Sequence, residues 1–249
     1  MATDEADPPD SSRRSPGLGG ARDGRRSAQG ENRWPPAIAA ICAIIVYALM
    51  PESLLVGPRI VIPAVEAVLL IAMLCTNPWR MTRQSRWSRA ASIVLSLLVI
   101  GTNLVALVLL VAQMGTDASG ASMLIGAMQV WATNVIGFAL LYWELDRGGP
   151  VMRRREERQK IPLADWRFSQ DENRDTVGEV KDGASSEADW MPQFIDYFYM
   201  SLTNSSAFSP TDTMPLSTRA KLLMGTQATA ALLTSLLLVA RAVGSLSGG

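Results

Sequence analysis

Charge is missing from long stretches of this chain and crowded into a few others, and that segregation constrains the fold more than any motif does. Most charged residues collect in residues 1–33, 80–89 and 146–189, whereas residues 90–114 are 25 consecutive positions without one. About 20 apolar residues in a helix cross the roughly 30 Å hydrocarbon core of a bilayer. The average of 48% apolar residues conceals these blocks. They predict an all-α fold, a polytopic transmembrane helical bundle stabilised by helix packing in lipid.

The expected spans are residues 37–55, entered after Trp34-Pro35-Pro36, then 60–75, 90–114, 121–143 and finally 220–243. Residues 194–208, read as a helix, cover roughly 22 Å at 1.5 Å per residue, short of a full crossing. The expectation is that they cross as a fifth of six spans, leaving both termini on one side. The alternative is a re-entrant helix, with five spans and the carboxy terminus opposite the amino terminus.

Basic residues orient the bundle. The loop around Arg80, Arg83, Arg86 and Arg89 has two tryptophans and no acid, and Arg153, Arg154, Arg155, Arg158 and Lys160 follow the fourth span. Short basic loops stay in the cytoplasm, which puts the amino terminus inside. The domain reading is a disordered cytoplasmic tail (1–34), a four-helix transmembrane region (35–145) and a flexible cytoplasmic loop (146–191). A helix pair (192–244) and a short tail (245–249) complete it. Six arginines and six acids in residues 1–33 nearly cancel, so no nucleic-acid partner is expected. Twenty arginines against three lysines suit a GC-rich bacterium, hence a bacterial cytoplasmic membrane.

The chain has no histidine and two cysteines. His-based acid–base catalysis, HExxH zinc sites and His-ligated haem are excluded. Cys42 and Cys75 lie in apolar runs and read as buried, unpaired thiols. No enzyme activity, metal or cofactor is expected.

Polar residues recur at helical spacing inside the spans. Ser92, Ser96, Val99 and Asn103 share a face, as do Gly126, Thr133, Gly137 and Glu144, and Gln227, Ala231, Thr234, Leu238 and Arg241. Such faces hold membrane helices together, and Asn103, Thr133, Asn134 and Gln227 are assigned to helix packing. Glu66 differs, since a carboxylate among Ala, Val, Leu and Ile must pair, reach water or take up a proton. Asp196, Asn204, Thr211 and Asp212 bring oxygen ligands beside the last span, as partial dehydration of a hard cation requires. With Glu66 they form the candidate ion or proton site. Ser217 and Thr218 suit the cap of the last helix.

The order of features from residue 196 onward is an aromatic helix (DYFYMSLTNS), an irregular FSPTDT, then PLSTRAKLLM entering an apolar helix. It distantly resembles the pore module of two-helix potassium channels. SSAFSPTD stands where that family has TVGYGD, so its glycine-dependent filter does not carry over. Most of the membrane part also resembles an uncharacterised bacterial family of polytopic membrane proteins, through Asp196, Tyr197, Phe198, Tyr199, Thr211, Asp212 and Arg219 and the turn YWELDRGGP. That resemblance implies fold and location but no activity. The pore-module resemblance implies a homo-oligomer. The expected function is that of an ion channel or ion-coupled transport protein acting on a monovalent cation or proton in the lipid bilayer. The alternative is a non-transporting membrane scaffold or interaction protein.

Overall fold

The computed structural model describes residues 30–76, 80–81, 86–113, 120–172, 177–206 and 212–247. Most of the expected amino-terminal tail, and Thr211, lie outside them. The fold is mostly helical, with α1 at Trp34–Ala48, α2 at Val61–Thr76, α3 at Arg86–Ala112, α4 at Gly120–Leu145, α5 at Pro150–Arg155, α6 at Phe194–Ser206 and α7 at Thr218–Ser247. Two short antiparallel pairs tie distant segments together. They are β1 (Glu31–Asn32) with β2 (Arg80–Met81), and β3 (Trp166–Arg167) with β4 (Met214–Pro215).

Among the described residues three helical stretches are long and apolar enough to cross a membrane: Arg86–Ala112, Ala121–Gly148 and Thr218–Arg241. Helices α1 and α2 are apolar but have 15 and 16 residues, roughly 22–24 Å. Prolines stand in the first turn of α1, where a missing N–H leaves no bond unmade, and Pro51 follows its end. Large apolar side chains such as Ile38, Val68, Val108 and Leu236 are exposed on the outside of the bundle, as suits lipid contact. Cys42 and Cys75 are free and also face outward, not inward as expected.

Helix α4 is the centre of the bundle, packed by α1, α3, α6 and α7, while α2 bridges α1 and α3. Helices α1 to α4 thus close a four-membered ring. Gly137 sets the approach of α3 to α4. A Cβ there would lie 3.0 Å from Ile100 Cγ1 and 3.1 Å from Val99 Cγ1.

The last two helices run in the same direction along the bundle. Helix α6 begins beside Glu31 and Asp146 and runs antiparallel to α4, since Ser201 Oγ donates to the Val135 carbonyl (2.7 Å) and Trp131 Nε1 donates to the Ser205 carbonyl (3.4 Å). Helix α7 begins at the same end, where Arg219 meets Asp165 and the Leu145 carbonyl, and reaches Met123 at Arg241. Consecutive helices that run the same way require the chain to double back between them. Pairing of β4 with β3 and the hold of Asp165 on Ser217 and Arg219 draw it back. Helices α6 and α7 therefore both start from the end of the bundle where α4 finishes.

Residues 146–191, expected as a flexible loop, are partly built into that end. Trp166 is wholly buried and packs on Tyr142 at 4.8 Å, and Phe168 meets Tyr197 edge-on at 5.4 Å. The reversal from α4 into α5 uses positive φ at Arg147, Gly148 and Gly149 (51°, 80° and 95°), a path that glycine takes without strain. Arg147 is held in it by Asp171 at 2.6 Å. The composition looked like a linker because polar residues outnumber the few aromatics that anchor it.

Candidate functional site

The interior of the α1–α4 ring is lined by small and apolar side chains with acids toward its two ends. Helix α1 presents Ala37, Ala40 and Ala43, and α2 presents Glu66, Leu70 and Met73 at i, i+4 and i+7, all buried. Glu66 is 1% exposed, and its Oε2 has no hydrogen-bond partner. Tyr47 is the nearby titratable group on α1, and its hydroxyl accepts from the Val56 N–H at 3.2 Å. Toward the other end Ser92 Oγ donates to Glu144 Oε1 at 2.5 Å, while Glu144 Oε2 has no partner. The charges of Arg33, Arg89 and Arg153 act on Glu144. Beside Ser92, the hydrogen-bond partner of Glu144, lies a cavity of about 20 Å³, bounded by Arg33, Ala40, Leu70, Met73, Ser92 and Ser96 among others.

The end carrying Glu144 is closed by a buried polar network. Arg153 has no exposed surface; its Nη1 donates to the carbonyls of Trp143 (2.8 Å) and Asp146 (2.9 Å), and Nη2 lies 3.5 Å from Glu31 Oε2. Glu31 Oε1 accepts from Trp143 Nε1 and the Phe194 N–H, each at 2.8 Å. Asp146 accepts from the Tyr197 hydroxyl at 2.6 Å and the Asp165 N–H at 2.7 Å. Asp165 in turn binds Ser217 at 2.5 Å and Arg219 through both its oxygens. Burial pushes the Glu31 carboxyl above its ordinary pKa, against the pull of Arg153. Burial acts to lower that of Arg153, but Tyr197 and the acids Glu31, Asp146 and Glu144 outweigh it and leave it raised.

The candidate site expected near the last span is not assembled as one cluster. Asp196 caps α6, its Oδ2 accepting from the Gln193 N–H at 2.7 Å. Asn204 donates to the Met224 carbonyl (3.1 Å) and Gln227 Oε1 (2.9 Å), a packing contact. Asp212 is exposed, and Glu66 belongs to the ring on the other side of α4. The four packing residues do bridge helices. Asn103 Nδ2 donates to the Val130 carbonyl and Thr133 Oγ1, both at 2.6 Å, and Asn134 donates to the Gln227 carbonyl at 3.3 Å. Gln227 Nε2 donates to Ser201 Oγ (2.6 Å) and Ser205 Oγ (2.9 Å), and its Oε1 accepts from Tyr142 (2.7 Å). Ser217 caps α7 by accepting from the Ala220 N–H at 3.1 Å.

Sequence reasoning missed Glu31, Asp146, Arg153 and Asp165. One signal was available: Glu144, Asp146 and Arg147 end a helix just before Gly-Gly-Pro, where a chain reversal brings Arg153 back onto them. Nothing in the sequence paired Asp165 with Arg219, 54 positions later. Among the described residues no three His, Cys, Asp or Glu side chains gather as a metal site. No protein-family model, curated protein or solved structure matches this chain.

Proposed function

We propose that this chain is an integral protein of a bacterial cytoplasmic membrane that moves a monovalent cation or proton. In this reading α1–α4 and α7 cross the bilayer, the amino terminus is cytoplasmic, and α6 dips in from the cytoplasmic side and returns. The observation that carries it is that α6 and α7 begin at one end and run the same way. Backbone that leaves a helix at membrane depth is tolerated only when buried in protein or lining water. Channels and transporters use such part-length helices to bring polar groups to mid-bilayer. Glu66 is the acid best suited to hold the ion, because an intramembrane carboxyl with an unpartnered oxygen serves packing poorly. The pore-module resemblance adds assembly of several copies.

A scaffold without transport is the second reading, favoured by Gln227, whose side chain spends every polar group on α4 and α6. Ion flux into liposomes containing the purified protein separates the two. The transport reading expects flux in the wild type and its loss in Glu66→Gln. No flux under any gradient, voltage or pH would overturn it.

A further inference from the structure

Of the two acids in the ring, the proposed function uses only Glu66. Glu144 has the same defect, a buried carboxylate oxygen with no partner, and Ser92 connects it to the cavity wall. A water molecule needs roughly 10–15 Å³ and two to four polar partners. The cavity offers that room, with Arg33, Ser92 and Ser96 on its wall. Glu66 precedes the two α2 residues lining it, Leu70 and Met73, by one and two turns on the same face. Ala37 and Ala40 of α1 are among the small side chains on the cavity wall.

We propose that the ring interior is a proton path in which Glu144 exchanges protons at the cytoplasmic end and Glu66 holds one deeper in the membrane. The inference rests on the transport reading and makes the proton its ion. The transfer moves a proton alone: it leaves the carboxyl of Glu66, passes over water in the cavity and the Ser92 hydroxyl, and arrives on the carboxylate of Glu144. The charges facing Glu144 are Arg33 ahead of α1, Arg89 on α3 and Arg153 on α5. Tyr47 on α1 is the group facing Glu66. Among the described residues neither acid belongs to a group of three His, Cys, Asp or Glu side chains that could hold a metal ion.

The test uses the full chain in liposomes with a pH-sensitive dye inside and a potassium-sensitive dye in a parallel set. Wild type, Glu144→Gln, Glu66→Gln and Ser92→Ala are compared, each first checked for an unchanged melting curve in detergent. The expected result is proton flux in the wild type, reduced at least tenfold in Glu144→Gln and Glu66→Gln and less in Ser92→Ala. In a second measurement, a hydrophobic carbodiimide, which attacks protonated carboxyls, labels Glu66 and Glu144 in the wild type, as read by peptide mass. Glu66 stays labelled in Glu144→Gln. Cation flux that is lost in Glu66→Gln but unchanged in Glu144→Gln would overturn the proton path and leave the transport reading standing. No flux of any ion would overturn both. A Glu144 that resists carbodiimide at every pH would overturn its role even where Glu66 reacts.

Discussion

The guanidinium of Arg153 lies 4.9 Å over the ring of Tyr197, and both side chains are wholly enclosed. The ring holds the cation from one side, while Glu31 and the carbonyls of Trp143 and Asp146 hold it from others. Tyr197 also donates to Asp146, so one residue supports both signs of charge in the network. Loss of one member of a buried charge group costs about 3–5 kcal/mol, because its partners stay buried without it. Arg153→Met is therefore expected to lower stability in detergent by about that much. Tyr197→Phe keeps the ring and loses one hydrogen bond, about 1–3 kcal/mol. Thermal unfolding of the two variants checks the order, and equal losses would contradict it.

Glu31 makes the same end pH-sensitive in a predictable direction. Burial raises its carboxyl above the ordinary value of 4.5. A carboxyl raised by folding contributes stability that is complete below its unfolded pKa and lost as pH rises through the folded value. The advantage of wild type over Glu31→Gln should be largest below pH 4.5 and shrink as the pH is raised. Melting curves across that range test it. An advantage that grows with pH would show that Arg153, not burial, governs Glu31.

Gln227 joins α7 to α4 and α6 at once. Replacing it with Leu keeps the volume but leaves the Tyr142 hydroxyl without its acceptor, at a cost of about 1–3 kcal/mol. Unlike Arg153→Met, this variant should loosen α6 selectively. Hydrogen exchange in residues 194–206 should rise more than in α3, and uniform exchange would count against a local effect.

The position of the carboxy terminus separates the two span counts. With α6 re-entrant, an enzyme reporter fused after Gly249 should be active in the periplasm. Activity in the cytoplasm would return the six-span order.

Long helices were legible because charge-free blocks of bilayer length leave the chain few choices, and the ends of α2, α3 and α7 lie within a few residues of expectation. Asn103, Thr133 and Gln227 were legible as packing residues because helical spacing sets their faces. The direction of α6 was not, because it depends on β3 meeting β4 and Asp165 meeting Arg219, contacts between segments with no periodic pattern. The ring interior was half legible: Glu66 stood out among apolar neighbours, whereas Glu144 shared the helix-packing face of Gly126, Thr133 and Gly137.

The hold of Asp165 on Ser217 and Arg219 has a consequence for biosynthesis. Helices α1 to α4 are complete in the chain well before residue 219 is made, yet the network that closes the end they share also takes groups from residues 194–219. A nascent chain thus has its ring assembled while Asp165 has neither its hydroxyl nor its cation. Truncation just short of Arg219 leaves that carboxylate with its Ser217 hydroxyl but without its cation, a local mark of an unfinished chain.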